Sequence, residues 1–181
     1  MNWITKIIKA GEKIKTAIRE RSTKTDIANS DWTSCCRGPI LKKDLEANLW
    51  VCPDCNKHHY ISPTNRFNLM FGKDGWKKIE SPQPPPDPYK WEDTKKYVDR
   101  LKDAKKITGQ DNAILSCEAK INNIDVVVSA VDFKFIGGSI SMAEGENVLA
   151  AVQTALNKKC PYIFVSASGG MRMMTNILSL M

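Results

Sequence analysis

Long apolar segments and a recognisable export signal are both missing from this chain of 181 residues. It contains no run of about 18 consecutive apolar residues, so we expect no membrane-spanning helix. Its first twenty residues carry a charge every few positions and lack a cleavage-site pattern, which makes them a poor secretory signal. We therefore expect a cytoplasmic location, in which the cysteines stay reduced or bind metal.

Familiar catalytic motifs are missing as well. Neither the dinucleotide fingerprint G-x-G-x-x-G nor a phosphate loop ending in GK[ST] occurs. The sequence has two histidines, His58 and His59, and both lie in a segment rich in cysteine. A Ser-His-Asp arrangement is therefore not readable, and any catalysis has to come from other groups.

The composition is that of a globular protein with an uneven charge. The chain is 42% hydrophobic and 26% charged, with a formal net charge of +7. Residues 1–110 hold 22 basic and 14 acidic side chains, a balance of +8, whereas residues 111–181 hold 5 and 6, a balance of −1. Residues 1–110 could bind an anionic partner, and residues 111–181 could form a hydrophobic core.

Four segments follow from the pattern along the chain. Residues 1–31 predict an amphipathic basic helix and a linker; packing on protein is favoured for this helix over a membrane-surface role. Residues 32–60 are rich in cysteine, and residues 61–110 form a connector and a helix. The connector contains SPQPPPDP at 81–88, which favours a stiff spacer over an SH3-type ligand. Residues 111–181 predict an α/β segment.

The cysteine-rich segment predicts a zinc site. Cys52-Pro-Asp-Cys55 forms a C-x-x-C knuckle; Cys35 and Cys36 lie upstream, and fifteen residues separate Cys36 from Cys52. This spacing is typical of a zinc ribbon, although adjacent cysteines would strain the backbone around one tetrahedral ion. A ribbon that has lost its metal is the alternative, and redox chemistry is disfavoured because no thioredoxin-like βαβ pattern surrounds the motif.

The remaining cysteines and the two histidines receive simpler interpretations. His58 and His59 could replace a missing zinc ligand, but a surface or phosphate-contacting pair is favoured. Cys117 falls in an apolar strand pattern and Cys160 in a turn between a helix and a strand. Both are expected to be structural.

The last third of the chain predicts alternating strands and helices. Residues 113–121 and 125–135 predict paired strands joined by Asn122 and Asn123. A helix is expected over residues 142–158, a buried strand over 161–168, and a further helix after Gly170. Strand, strand, helix, strand, helix is an α/β order.

Two glycine pairs follow predicted strands. Gly169 and Gly170 precede the last predicted helix, where backbone amides can stabilise an oxyanion. Gly137 and Gly138 form a second loop at a strand end, where ligands of α/β proteins tend to bind. Tight turns are the alternative explanation for each pair taken alone.

Several stretches together carry a family resemblance. They are the MNWI start, Trp32-Thr33, LKKDLEANLWVCPDC at 41–55, ISPTNRF at 61–67, DTKKYVDRLKDAKKITGQDNAI at 93–114, DFKFIGGS at 132–139 and FVSASGGMRM at 164–173. In this order the chain resembles the carboxyltransferase β subunit of bacterial acetyl-CoA carboxylase. The resemblance extends almost from end to end.

The resemblance implies a fold and an activity. The fold would be a four-cysteine zinc ribbon followed by a crotonase-like (ClpP/crotonase) spiral of ββα units. The activity would be transfer of a carboxyl group from carboxybiotin to acetyl-CoA, giving malonyl-CoA for fatty acid biosynthesis. Implied partners are a carboxyltransferase α subunit in an α2β2-type assembly, a biotin carboxyl carrier protein and biotin carboxylase.

The resemblance also implies a set of site residues. The amides of Gly169 and Gly170 would polarise a carbonyl oxygen of the substrate. The implied substrate-binding residues are Gly137, Gly138, Ser139 and Arg172. The implied ligands of one structural Zn(II) are Cys35, Cys36, Cys52 and Cys55.

The chain departs from the family pattern at a few positions. Cys35 and Cys36 are adjacent where the family has C-x-x-C. Met171 and Met174 flank the retained Arg172 where the family usually has a small residue and Gln, and Ser141 stands where glycine is common. Because the sequence stops inside a helix pattern, we expect only the first part of the spiral, with an apolar face left uncovered.

Two other functions remain open on the sequence alone. The basic first part is compatible with a zinc ribbon that binds nucleic acid. A carboxyltransferase or decarboxylase acting on another acyl-CoA would keep the same core. The ribbon favours the acetyl-CoA carboxylase family over the latter.

Overall fold

The computed structural model describes residues 31–35 and 38–180. These residues form two compact units, divided between Tyr60 and Ile61. The predicted amphipathic helix and the predicted ligand Cys36 lie outside the described residues. No helix in the described part of the chain is both long and apolar enough to cross a bilayer.

The smaller unit is a hairpin followed by a helical turn and a loop. Strand β1 (Trp32–Cys35) pairs antiparallel with β2 (Gly38–Leu41), and helix α1 (Lys42–Ala47) follows directly. Leu45 of α1 is fully buried. A bridge between Val51 and His58 closes the loop that contains the C-x-x-C motif.

The larger unit is a four-stranded sheet with helices on both faces. Its strands are β3 (Trp76–Lys78), β4 (Ile114–Ile121), β5 (Ile124–Val131) and β6 (Tyr162–Val165); its helices are α2 (Pro63–Phe71), α3 (Tyr97–Thr108) and α4 (Met142–Lys158), with 3-10 turns at Ile136–Gly138 and Met173–Ser179. The strand order is β3-β4-β5-β6. The first two pairings are antiparallel, and β5 pairs parallel with β6. A parallel pair needs a crossover, which α4 supplies.

Local sequence signals set the helix ends. The Ser62 side chain accepts a hydrogen bond from the Asn65 amide at 3.2 Å, and Pro63 occupies the first turn of α2. Proline fits there because its missing N–H would have no partner inside the helix. Helix α3 ends at Gly109, whose φ of 69° is the left-handed conformation that glycine adopts easily.

The hairpin between β4 and β5 confirms the predicted paired strands. Asn122 and Asn123 both have positive φ, 49° and 67°. Two such residues form a turn whose twist matches that of the flanking strands, and asparagine tolerates this conformation better than most residues. The resulting register pairs Ile121 with Ile124 and Ile114 with Val131.

Strand β5 is buried on both faces. Val126, Val128 and Ala130 pack against Phe67 of α2, whereas Val127 packs against α4 through Ala151. Removing apolar side chains from water in this way is the main favourable contribution to folding. It also explains why residues 126–131 of β5 do not alternate between apolar and polar as in a strand with one exposed face.

A third apolar cluster joins α3 to the end of the sheet. Tyr97, Leu101 and Ala104 pack with Val131 and Phe135. The proline segment at 81–88 has no helix or strand, as predicted. It belongs to the larger unit, where Pro84, Pro85 and Pro86 line a cavity of about 250 Å³ together with Tyr97 and Leu101.

Three sequence-based expectations need correction. The α-helix expected after Gly170 is wrong: residues 173–179 form 3-10 turns, interrupted at Asn176 by a φ of 50°. The strand expected over 125–135 ends at Val131, because the Asp132 carboxylate accepts the Lys134 amide at 2.8 Å and turns the chain. The buried strand expected over 161–168 is shorter, Tyr162–Val165, and none of its four residues is buried, because it lies at the edge of the sheet.

We predict that Phe67→Ala strongly destabilises the larger unit. The Phe67 ring is fully buried and meets the Trp76 ring edge-on, with 5.4 Å between ring centroids. The lost packing and the cavity should cost about 3–5 kcal/mol of unfolding free energy. Urea unfolding followed by tryptophan fluorescence measures this. Leu69→Ala is the matched control, because Leu69 lies on the same helix with 43% of its surface exposed; equal losses in both variants would contradict the prediction.

Candidate functional site

Three of the four predicted zinc ligands lie together in the smaller unit. The sulfur atoms of Cys35, Cys52 and Cys55 all lie within 4.8 Å of one another. The Cys35 and Cys55 sulfurs are 3.3 Å apart, and Cys52 is buried. Such a group of sulfur atoms can surround a single metal ion.

The backbone of the C-x-x-C loop holds two of these sulfurs. The Cys52 amide donates to the Lys57 carbonyl at 2.9 Å, and the Asn56 amide donates back to the Cys52 carbonyl at 2.9 Å. Asn56 closes the turn with a φ of 56°. Cys35 comes from the hairpin, where it lies opposite Gly38.

The sulfur group could bind a soft metal ion, and three of its candidate ligands are among the described residues. Structural zinc sites usually have four thiolate or imidazole ligands in a tetrahedron. Cys36, the fourth predicted ligand, lies outside the described residues. Among the described residues, neither His58 nor His59 joins the sulfur group. His58 is exposed, in line with the favoured surface interpretation.

The two cysteines of the larger unit, Cys117 and Cys160, do not belong to the sulfur group. Cys117 is fully buried in the sheet core, and burial raises the pKa of its thiol to about 12. A thiol with so high a pKa remains protonated at neutral pH. Cys160 lies just after α4, where its amide donates to the Ala155 carbonyl at 3.0 Å.

The two predicted glycine loops meet in the larger unit. We call residues 136–141 the first glycine loop and residues 166–172 the second. The Gly169 amide donates to the Gly137 carbonyl at 2.9 Å. A Cβ atom on Gly138 would lie 2.2 Å from the Ala167 carbonyl oxygen. The backbones therefore approach more closely than side chains would permit.

A short parallel bridge extends this contact. The Ile140 amide donates to the Gly170 carbonyl at 2.9 Å, and the Arg172 amide donates to the Ile140 carbonyl at 2.7 Å. Ile140 and Met171 are bridge partners. Together with the Gly169 bond, three backbone hydrogen bonds hold the loops side by side.

The amides predicted to bind an oxyanion differ in their surroundings. The Gly169 amide is already bonded to the first loop. The Gly170 amide donates to the Ser168 hydroxyl at 3.0 Å on the exposed surface. No α-helix follows these glycines in the described residues, so the positive end of a helix dipole does not add to either amide.

The side chain of Arg172, which is predicted to bind substrate, is buried between the loops. It is 2% exposed, and its guanidinium makes five hydrogen bonds inside the protein. The partners are the Ser139 hydroxyl at 3.0 Å, the Ser139 carbonyl at 2.5 Å, the Tyr97 hydroxyl at 3.1 Å, the Ser141 hydroxyl at 3.0 Å and a Glu144 carboxylate oxygen at 2.7 Å. A guanidinium has five N–H groups, and all of them are used here.

Sequence reasoning did not predict the partners of Arg172. Glu144 is fully buried in the first turn of α4, and burial raises the pKa of Tyr97, which keeps its hydroxyl protonated. The spacing Ser141-x-x-Glu144 is a readable capping box, which could have marked Glu144. Its contact with an arginine 28 positions away has no local signal in the sequence.

Comparisons with known proteins address the family resemblance. Residues 96–180 match the model of the carboxyl transferase domain family. The chain is 54% identical over 180 residues to a protein of Pelagibacter ubique strain HTCC1062, and 40% identical over 181 residues to one of Bartonella quintana strain Toulouse. Both are named acetyl-coenzyme A carboxylase carboxyl transferase subunit beta. The family resemblance is therefore confirmed.

These alignments cover nearly all of this chain but not all of its relatives. They include 99% of the chain in the first case and 100% in the second, and 58% of each relative's length. Among solved structures, transcarboxylase 12S with methylmalonyl-coenzyme A and methylmalonic acid bound overlaps 66% of this chain and 21% of its own. The TM-score is 0.49 and the sequence identity is 17%.

We predict that Cys52→Ser abolishes metal binding by the smaller unit. Its sulfur is the buried member of the cluster, and a hydroxyl is a poor substitute for a thiolate ligand of Zn(II). After incubation with zinc and removal of unbound metal by gel filtration, the wild type should retain about one zinc ion per chain and Cys52→Ser should retain none. The control variant Cys160→Ser, in the larger unit, should bind as much zinc as the wild type. If Cys52→Ser also binds as much zinc as the wild type, the metal site lies elsewhere.

We predict opposite effects for two glycine-to-alanine changes. Gly138→Ala introduces a Cβ against the Ala167 carbonyl and requires a φ of 63°, so it should separate the loops and lower thermal stability. Gly145→Ala lies in α4 with nothing within 4 Å of its Cβ. It should stabilise by about 0.5–1 kcal/mol because alanine favours helix. Thermal unfolding compares the two; a Gly138→Ala variant as stable as wild type would contradict the close approach.

Proposed function

We propose that this chain acts in an acetyl-CoA carboxylase carboxyl transferase as its β subunit. The main support is identity of 54% across 99% of the chain to a relative of that name. The meeting of two glycine loops at one edge of the larger unit gives this proposal a structural site. The substrate would be acetyl-CoA and the product malonyl-CoA, made for fatty acid biosynthesis.

The proposed reaction needs no nucleophilic side chain. Biotin on its carrier protein would supply the carboxyl group that becomes bonded to the α carbon of acetyl-CoA, and would take up the proton that this carbon loses. Negative charge develops on the thioester oxygen as the α carbon loses its proton. The protein's part is to bind the thioester and to direct N–H groups at this oxygen.

Gly170 is the better placed of the two proposed donors. Its amide is exposed, and its present acceptor is a surface hydroxyl that can rotate away. The Gly169 amide would first have to break its bond to the Gly137 carbonyl. We therefore assign oxyanion stabilisation mainly to Gly170, with Gly169 and the Gly137–Gly138 pair shaping the pocket.

The remaining parts of the proposal concern fold and assembly. Strands β4 and β5 followed by α4 form a ββα unit, which supports the crotonase-like spiral. The three-sulfur group supports a zinc ribbon with Cys36 as fourth ligand, in which zinc would fix the hairpin to the C-x-x-C loop. The α subunit, the biotin carboxyl carrier protein, biotin carboxylase and the cytoplasmic location follow from the family.

A chimera tests the proposed function. The aligned segment of this chain, 180 residues long, replaces the matching segment of the Pelagibacter ubique relative, which supplies the rest of the subunit. Mixed with that organism's α subunit and a carboxylated biotin carrier, the chimera should form malonyl-CoA from acetyl-CoA, measured by mass spectrometry. The unaltered relative is the control. No malonyl-CoA from a folded chimera that binds the α subunit would overturn the proposal.

We predict that Ser168→Ala in this chimera keeps its activity. The change removes the acceptor of the Gly170 amide and leaves that N–H available to the substrate. If the Ser168 hydroxyl itself supplied the catalytic hydrogen bond, kcat would fall by about 100-fold or more. Steady-state kinetics distinguish these results, and a loss of that size would reassign the donor from Gly170 to Ser168.

A further inference from the structure

We propose that Glu144 is a positioning residue of the glycine-loop site, acting through Arg172. Neither residue needs to touch the substrate for this role. The carboxylate holds the guanidinium, and the guanidinium holds the two glycine loops in register. The catalytic consequence rests on the proposed function, whereas the effect on the loops does not.

Glu144 is surrounded by donors. One carboxylate oxygen accepts the Arg172 guanidinium at 2.7 Å and the Ala113 amide at 2.8 Å. The other accepts the Ser141 amide at 2.9 Å and the Ser141 hydroxyl at 2.6 Å. Each oxygen of the buried carboxylate therefore has two hydrogen-bond donors.

Arg172 depends on this carboxylate for its charge balance. Its other four hydrogen bonds go to neutral oxygens of Ser139, Tyr97 and Ser141. The side chains of Arg172 and Glu144 are 2% and 0% exposed. If one partner of such a buried pair is lost, the other is left as an uncompensated charge, which is strongly destabilising.

The guanidinium joins parts of the chain that belong to different loops. The Arg172 backbone lies in the second glycine loop, while its side chain binds both the hydroxyl and the carbonyl of Ser139 in the first. Glu144 adds a link to α4, a helix of 17 residues. The position of the Gly170 amide relative to the first loop therefore depends on the Glu144–Arg172 pair.

Capping of α4 alone does not need a carboxylate. Glutamine serves equally well as the third residue of a capping box. The glutamine side chain that Glu144→Gln introduces has one acceptor oxygen and one NH₂ donor. If its oxygen caps Ser141, its NH₂ faces the guanidinium and the Ala113 amide, which are both donors. Glu144→Gln thus keeps the size of the side chain, removes the negative charge beside Arg172, and cannot accept from both Ser141 and Arg172 as the carboxylate does.

Hydrogen exchange of individual amides tests the proposal in the chain itself. In Glu144→Gln, the Ile140, Gly169 and Arg172 amides, which join the two loops, should exchange about tenfold faster or more, since the buried pair is lost. The Glu144→Gln/Arg172→Gln double variant should show no further increase over Arg172→Gln alone. Additive effects would mean that Glu144 acts independently of Arg172.

Asn147→Ala is the matched control for general destabilisation. Asn147 lies on α4 one turn after Glu144, is 4% exposed and donates to the Ile114 carbonyl at 3.0 Å. Its side chain also accepts from the Ser116 hydroxyl, so it ties α4 to β4 and its loss should lower stability without faster loop exchange. The proposal is overturned if Asn147→Ala speeds hydrogen exchange of the loop amides as much as Glu144→Gln does. It is also overturned if Glu144→Gln leaves their exchange rates unchanged.

A second variant covers the case in which Glu144→Gln does not fold. Arg172→Lys keeps a positive charge beside Glu144 but cannot bind Ser139 and Glu144 in the same forked geometry. It should fold and still show faster exchange at the loop amides. Unchanged exchange in Arg172→Lys would refute the role of the guanidinium as the link between loops.

Kinetics in the chimera measure the catalytic consequence. Glu144→Gln should lower kcat more than it changes KM, because a displaced Gly170 amide affects the transition state more than acetyl-CoA binding. Asn147→Ala should leave both values close to those of the parent chimera. An inactive parent chimera would count against the proposed function alone, and the exchange experiment would still decide the role of Glu144.

Discussion

The parallel pairing of β5 with β6 determines where the candidate active site forms. Val127 pairs with Tyr162 and Ala130 with Val165, so both strands end at the same edge of the sheet. The chain leaving β5 forms the first glycine loop, and the chain leaving β6 forms the second. Carboxyl ends of neighbouring parallel strands are where open α/β sheets bind ligands. Burial of β5 on both faces keeps this edge in place.

At that edge the protein buries a charged pair beside apolar side chains. Ile136 and Ile140 of the first loop pack against the apolar cluster around α3, while the backbones of the two loops lie too close for side chains between them. A buried ion pair with every donor and acceptor satisfied gives a specific arrangement, although its net contribution to stability is small once desolvation is counted. The pair between Arg172 and Glu144 therefore contributes geometry more than stability.

The sequence predicted best where local signals agree. The helix expected at 142–158 has the observed limits, because an apolar face, the Ser141–Glu144 cap and the following strand all indicate the same ends. The expected hairpin depended on Asn122 and Asn123, whose turn chemistry is local. The glycine loops were located for the same reason. For the larger unit, the family resemblance added a role for these loops that spacing alone did not supply.

The sequence-based predictions were wrong, or could not be made, where contacts between residues far apart in sequence determine the structure. The residues after Gly170 have a helical pattern, but the 3-10 turn begins just after Arg172, whose side chain is held by the first loop and α4. The family motif predicts that Arg172 binds substrate, and its contacts place the side chain in a buried hydrogen-bond network. No residue close to Arg172 in sequence indicates that Glu144 and Tyr97 are its hydrogen-bond partners. Tertiary contacts of this kind override local preference.

The sulfur group of the smaller unit has a chemical consequence for handling the protein. When no cation is bound, the thiols of Cys35 and Cys55 lie close enough for an oxidant to remove two hydrogens and join them. Cys52 would then be left as the third, unjoined thiol of the group. A bound metal blocks this route because its ligands are no longer available to react. Storage under air and metal loading therefore compete for the same three sulfur atoms.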